Sequence, residues 1–284
     1  MAWGFFGVLA FSFTVPLTRV AVDGLSPLFV GCGRAVIAAA LAAVVLACTK
    51  QPWPSARLWI RLGVVAGGVV VGFPLLTSFA LRSVHASHGA IVIALLPAAT
   101  AAMAVVRGKE RPGLRFWVIA VFGAILTVTV ASLHSGELGQ LRWADLLLFG
   151  AVVAAAVGYA EGGLLARRIG AWQTVSWALI LAAPLMLSLT CVAMRQQQLL
   201  ASPAQWSAFA YLSIASMFLG FFAWYRGLAI GPMAQVSQIQ LAQPMFSILW
   251  AVLLLGESVA VTTLIGGAAV IACAGTAVRT RLRN

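Results

Sequence analysis

Residues 226–257 read RGLAIGPMAQVSQIQLAQPMFSILWAVLLLGE, an apolar stretch with Pro244 inside it and Glu257 closing it. Residues 79–110, FALRSVHASHGAIVIALLPAATAAMAVVRGKE, follow the same plan with Pro97 and Glu110. The two proline–acid pairs lie 147 positions apart in a chain of 284 residues. Few other residues recur at that offset, so the signal is the matched proline and acid within matched hydropathy. A duplication has to be settled first because it fixes the whole fold. In a membrane chain, a proline-interrupted segment at corresponding places in two halves also points to a transport site.

Composition supplies the membrane. The chain is 62% hydrophobic and 8% charged, with mean hydropathy +1.03, whereas soluble domains carry about 25% charged residues. Met1-Ala2-Trp3 leads straight into apolar sequence, so no cleaved signal peptide is expected. The net charge of +12 sits in short connectors rather than on a soluble face, which assigns it to topology and excludes a nucleic-acid partner. Cys32, Cys48, Cys191 and Cys273 fall in or beside apolar segments without metal-ligand spacing, and they read as packing residues.

A bilayer core takes about 20 apolar residues of helix. Ten such segments can be read, near 2–22, 27–48, 60–82, 85–106, 113–133, 143–166, 172–194, 205–226, 230–255 and 259–278. Long unbroken apolar runs exclude a β-barrel, whose strands alternate. One set of connectors collects Lys50, Arg57, Arg61, Arg107, Lys109, Arg111, Arg115, Arg167, Arg168, Arg226, Arg279, Arg281 and Arg283; the other has Arg19, Arg82, Arg142 and Arg195. That bias, about three to one, places the first set and both termini in the cytoplasm. The halves, 1–137 and 142–284, then hold five spans each. Five is odd, so the second half enters the membrane inverted.

Glu161 lies inside the sixth span, with Thr14 as its counterpart at offset 147. An intramembrane carboxylate faces a cavity or a partner. It is read either as a proton carrier or substrate-ammonium ligand, or as a structural acid paired with Arg167 or Arg168. Gln235, Gln238, Gln240 and Gln243 crowd the ninth span. At 100° per residue the first, second and fourth share one face and Gln240 points away. Amides offer donors and acceptors to a polar metabolite, or they bridge helices. His88 aligns with Gln235, one turn after His85, and is read as cavity lining or as a group titrating near neutral pH.

Pro97 and Pro244 remove backbone donors and kink their helices, and the freed carbonyls need partners or a wet cavity. Tyr159 and Trp177 are read as walls of that cavity, with Ser78 and Phe79 beside it. Glu110 and Glu257 read as structural anchors, capping a helix or pairing with loop arginines. The glycine spacings Gly63/Gly67, Gly68/Gly72, Gly158/Gly162 and Gly227/Gly231 suit close helix approach. No phosphate-binding loop, HExxH, CxxC or Ser-His-Asp set can be placed, so neither an enzyme, a cofactor nor a metal site is expected.

Two five-span halves, each ending in proline then acid (Leu96-Pro97 to Lys109-Glu110; Gln243-Pro244 to Gly256-Glu257), resemble the EamA-type drug/metabolite transporter superfamily. Trp3-Gly4 and the Gly24-Leu25-Ser26-Pro27 connector fit the same pattern, while Gly108-Lys109-Glu110 departs from the Leu255-Gly256-Glu257 ending. Within the superfamily the chain looks most like bacterial exporters of the YddG type. The resemblance implies an all-α integral membrane protein of ten transmembrane helices, two inverted repeats around a central cavity lined by spans 1, 3, 4, 6, 8 and 9. It further implies alternating access and outward movement of amino acids and related metabolites. The function expected for this chain is export of neutral or aromatic amino acids or related small metabolites across the inner (cytoplasmic) membrane, by a monomer. A proton-coupled multidrug exporter and a membrane scaffold without substrate stay open as rival readings.

Overall fold

The structure, a computed structural model, describes residues 1–135, 143–196 and 201–256, with positions 265, 268, 269, 272 and 276. Glu257 and most of the expected tenth span over 259–278 lie outside the described residues, as do the side chain of His88 and those of a few other helical positions. Everything described is helix, turn or connector. Among these residues seven helices are long and apolar enough to cross a membrane: Ala2–Val22, Pro27–Cys48, Ala56–Leu81, Trp143–Ile169, Ala171–Gln196, Pro203–Ile230 and Met233–Leu254.

Several of the spans are broken. The first consists of α1 (Ala2–Ser12) and α2 (Thr14–Val22), which meet at Phe13. Pro16 explains the break, because it has no N–H to return to the Ser12 carbonyl four residues earlier. That carbonyl accepts instead from the Ser247 hydroxyl at 2.7 Å, so a side chain from another span repairs the ladder, as apolar surroundings require. The connector ends cleanly. Ser26 caps α3 (Pro27–Cys48) by accepting from the Phe29 N–H, with Pro27 at the first helical position, where its missing donor costs nothing.

The third span runs α4 (Ala56–Val65), a π-helical segment Ala66–Gly72, then α5 (Phe73–Leu81). It is followed by α6 (Ala86–Ile93) and α7 (Leu96–Gly108), separated by a turn that precedes Pro97, and by α8 (Leu114–Ser135). These occupy the places expected for the fourth and fifth spans. The long helices α9 (Trp143–Ile169) and α10 (Ala171–Gln196) come next. A second π-helical segment, Leu212–Leu219, joins α11 (Pro203–Tyr211) to α12 (Gly220–Ile230). The ninth span is α13 (Met233–Ser237), a 3-10 stretch Gln238–Ala242, and α14 (Gln243–Leu255).

Landmarks recur at the 147-residue offset. The helices α7 and α14 start at Leu96 and Gln243 with proline next, and both end in a left-handed residue, Lys109 (φ 54°) and Gly256 (φ 68°). The helices α6 and α13 begin at Ala86 and Met233, and the two π-helical segments fall at matching depth. Only the first π segment is followed by a proline, Pro74, so the shared feature is position rather than residue type. Helix pairings are exchanged by the same shift: α1 lies along α12 as α9 lies along the third span, and α3 packs on α10.

Lipid offers no hydrophobic drive for helix association, so close approach falls to small residues. A Cβ on Gly68 would meet the Ala154 carbonyl and come within 3.0 Å of the Gly158 backbone, and one on Gly227 would lie 2.8 Å from Gly4 N. Both contacts join one half of the chain to the other. Gly67 differs from the expectation drawn from its spacing to Gly63. A Cβ there meets nothing within 4 Å, and one on Gly63 touches only the Leu181 side chain at 3.9 Å. Large apolar side chains such as Phe6, Ile60, Val118, Phe122, Phe149 and Leu253 remain exposed on the outer helix faces, as a lipid-facing surface requires.

Candidate functional site

The broken spans surround a cavity at mid-depth. Its lining comes from α1 and α2 (Phe11, Thr14), α3 (Arg34), the third span (Val69, Phe73, Pro74), α9 (Tyr159), the eighth span (Ser216, Met217, Phe221) and α14 (Gln243). Aromatic rings make its walls: Phe11 stacks on Tyr159 at 6.4 Å and lies 4.9 Å from Phe221 between ring centroids. Its polar groups are few. The Thr14 and Ser216 hydroxyls share one hydrogen bond of 2.7 Å, joining the first span to the eighth. Gln243 reaches the Phe11 carbonyl through Nε2 at 3.5 Å, and its Oε1 is buried without a partner. A mostly apolar enclosure with a few polar groups suits a small amphipathic ligand.

At one end of the bundle a charge cluster closes the helices together. Glu161, fully buried on α9, accepts from Arg61 Nε on α4 and from Arg107 on α7, through Nε at 3.2 Å and Nη2 at 2.5 Å. The structural reading pairs Glu161 with Arg167 or Arg168; its partners are Arg61 and Arg107. Arg167 turns instead to the Leu228 and Gly231 carbonyls and lies 3.7 Å from Glu110. Glu110 accepts from the backbone N–H groups of Met233 and Ala234 at 2.7 and 2.8 Å. A carboxylate there satisfies donors that a helix start leaves unpaired.

The structure brings Thr14, Tyr159 and Gln243 together in the cavity and distributes the other residues singled out from sequence. Gln238 is buried, donating to the Pro97 carbonyl at 3.5 Å and to Ser237 Oγ at 3.3 Å, so it bridges the fourth and ninth spans. Gln235 is buried at the start of the ninth span, and Ser78 is buried on α5 with its hydroxyl unpartnered. Phe79 is 45% exposed on the outer surface of α5. Trp177 is buried away from this cavity, its ring 5.2 and 5.6 Å from those of Trp53 and Trp59. His88 lies on α6, its side chain outside the described residues. Pro97 and Pro244 stand at the first turns of α7 and α14, after the breaks they were expected to cause.

Sequence reasoning assigned no role in the site to Arg34, Ser216, Phe11 or Phe221. Arg34 carried a signal, being plainly within a span, whereas Phe11 and Phe221 resemble any other lipid-compatible aromatic.

An all-helical bundle of apolar spans around an amphipathic cavity, tied by charges at one end, defines a multi-pass membrane transporter. The chain belongs to the EamA-like transporter family, whose description fits residues 1–132 and again 142–278. It is 43% identical to "Uncharacterized transporter YdeK" of Bacillus subtilis (strain 168), over 97% of this chain and 96% of that protein. A solved crystal structure superposes with TM-score 0.77, covering 98% of this chain and 95% of its own at 19% identity. That likeness speaks to the fold alone.

Proposed function

We propose that the chain exports neutral or aromatic amino acids, or closely related small metabolites, across the inner (cytoplasmic) membrane by alternating access. Its ten spans form two inverted five-span repeats, and both termini face the cytoplasm. The 147-residue recurrence of helix starts, left-handed ends and π-helical segments supports the duplication. So does the fit of one family description to two successive segments. Inversion draws support from the antiparallel registers between spans. Pro97 lies against Gln238 while Glu110 lies against Met233, and Arg61 faces Glu161 while Gly68 faces Gly158.

One observation carries the reading. A mid-depth cavity is closed from the arginine-rich end by Glu161 with Arg61 and Arg107, and by Glu110 with α13 and Arg167. Alternating access needs a central site with a separable seal on each side, so these ion pairs are the cytoplasmic seal that parts when the cavity turns inward. Uptake into proteoliposomes, screened over amino acids, cationic dyes and phosphorylated sugars, is the test. Amino-acid counterflow is the expected result. Dye movement without any amino-acid movement replaces this reading with the multidrug one. A chain that moves nothing, with cysteines at Tyr159 and Gln238 unreachable by a water-soluble reagent, is a scaffold.

A further inference from the structure

The cavity contains an arginine with nothing to hold. Arg34 sits seven residues into α3, about 10 Å from the helix start at 1.5 Å per residue, and is 2% exposed. Its Nε and Nη2 are buried without a hydrogen-bond partner, and the side chain lines the central cavity. Among the described residues no acid lines that cavity. Of the described carboxylates, Asp23 pairs with Arg19, Glu161 with Arg61 and Arg107, and Glu110 with the start of α13, while Asp145 stands in the first turn of α9, outside the cavity lining. A guanidinium within the membrane is expensive without a counter-charge, and a bundle that needed only packing there would be better served by leucine or methionine.

We propose that Arg34 receives the carboxylate of the transported molecule. The inference rests on the transporter reading above and names the chemistry of its substrate. A guanidinium's planar fork matches a carboxylate through two parallel hydrogen bonds. The other features of the enclosure describe the remainder of the ligand. Gln243 Oε1, buried and unpartnered, is an acceptor for an ammonium group. Phe11, Phe73, Tyr159 and Phe221 provide an apolar wall for a side chain. The same positive charge repels lipophilic cations, because among the described residues no lining acid offsets it. The site therefore selects a small molecule with a carboxylate and an apolar body, and it turns away the cationic drugs of the rival reading.

The test uses the full chain in lipid nanodiscs and in proteoliposomes, with ligands that separate the two charged ends. L-Leucine and L-phenylalanine are compared with their decarboxylated amines and with their deaminated acids. Amino acids and deaminated acids are expected to bind and compete for one site, while the amines bind at least about tenfold more weakly. Arg34→Lys, which keeps the charge and loses the fork, weakens binding about tenfold; Arg34→Met weakens it about 100-fold. Arg34→Met also leaves the ligand-free thermal midpoint unchanged or higher, because it removes an unpaired buried charge. Amines or cationic dyes binding as well as the acids overturn the assignment, as does Arg34→Met binding carboxylates within about twofold of the parent. Should that variant fail to fold, the ligand series on the unaltered chain decides. Movement of solutes without any preference for a carboxylate defeats the Arg34 assignment and leaves a transporter. Binding and movement of no probe at all defeat both.

Discussion

Glu110 lies at the foot of α7, and its carboxylate receives the backbone N–H of Met233, 123 residues further along the chain, at 2.7 Å. The second oxygen receives the N–H of Ala234 at 2.8 Å. One acid thus finishes the fourth span and begins the ninth. The Pro97–Glu110 pair that drew attention in the sequence acquires a physical meaning: proline opens α7, the left-handed Lys109 ends it, and the acid reaches across to α13.

Removing that acid should therefore damage assembly rather than selectivity. Glu110→Ala deletes two charge-assisted caps at a partly buried helix start, a loss of about 1–2 kcal/mol. Glu110→Gln keeps one acceptor and loses less. Thermal midpoints of the solubilised protein should fall further for Glu110→Ala than for Glu110→Gln. An unchanged midpoint for Glu110→Ala contradicts the capping role.

Glu161 makes a sharper case because its environment is asymmetric. The carboxylate is fully buried, while the Arg61 and Arg107 side chains are 21% and 46% exposed. Losing the acid frees two arginines that can swing toward water. Losing both arginines strands a buried carboxylate, which costs about 3–5 kcal/mol. Arg61→Ala with Arg107→Ala should then depress the thermal midpoint more than Glu161→Gln does. Under the seal reading, Glu161→Gln also opens the arginine-rich end. A cysteine at the buried Ser237 should label faster with a membrane-impermeant maleimide in that background than in the parent. Equal labelling rates would remove the seal from the proposed cycle.

Lys109 marks where the two halves differ locally. It adopts φ 54° at the position where Gly256 adopts φ 68°. A side chain in the left-handed region costs about 1–2 kcal/mol relative to glycine's free access. Lys109→Gly should raise the thermal midpoint, the gain trimmed by glycine's larger entropy in the unfolded chain. A clear drop in midpoint would mean that the lysine makes a contact worth more than the strain.

Seven spans were legible because hydropathy reports the bilayer directly. Pro97 and Pro244 were legible as landmarks, and each stands just after a helix break. Facing was less so. In a soluble helix the polar side announces the surface, but here lipid and core both accept apolar residues. Nothing in the sequence separated Tyr159, which walls the cavity, from Trp177, which joins a tryptophan cluster elsewhere, or from Phe79, which faces outward. Partnerships were hidden for another reason. Arg61 and Arg107 sit in connectors where arginine sets topology, so their second use, holding Glu161 from 100 and 54 residues away, leaves no local trace.

Gly67 and Gly68 put the packing argument to a test with a built-in control. They are chain neighbours in one π-helical segment, so a change at either has the same effect on backbone propensity. Their surroundings differ completely. A Cβ on Gly67 meets nothing within 4 Å, whereas one on Gly68 runs into the Ala154 carbonyl and the Gly158 backbone. Backbone cannot rotate aside as a side chain can, so Gly68→Ala must push α9 away from the third span. Overpacking of that kind costs about 1–3 kcal/mol. It would also shift Tyr159 and Glu161, which α9 carries just beyond the contact. Gly67→Ala should leave the thermal midpoint within about 0.5 kcal/mol of the parent and transport intact. Gly68→Ala should lower the midpoint and slow transport together. If both substitutions prove equally harmless, the third and sixth spans do not meet through glycine, and the register that places Arg61 against Glu161 loses its anchor.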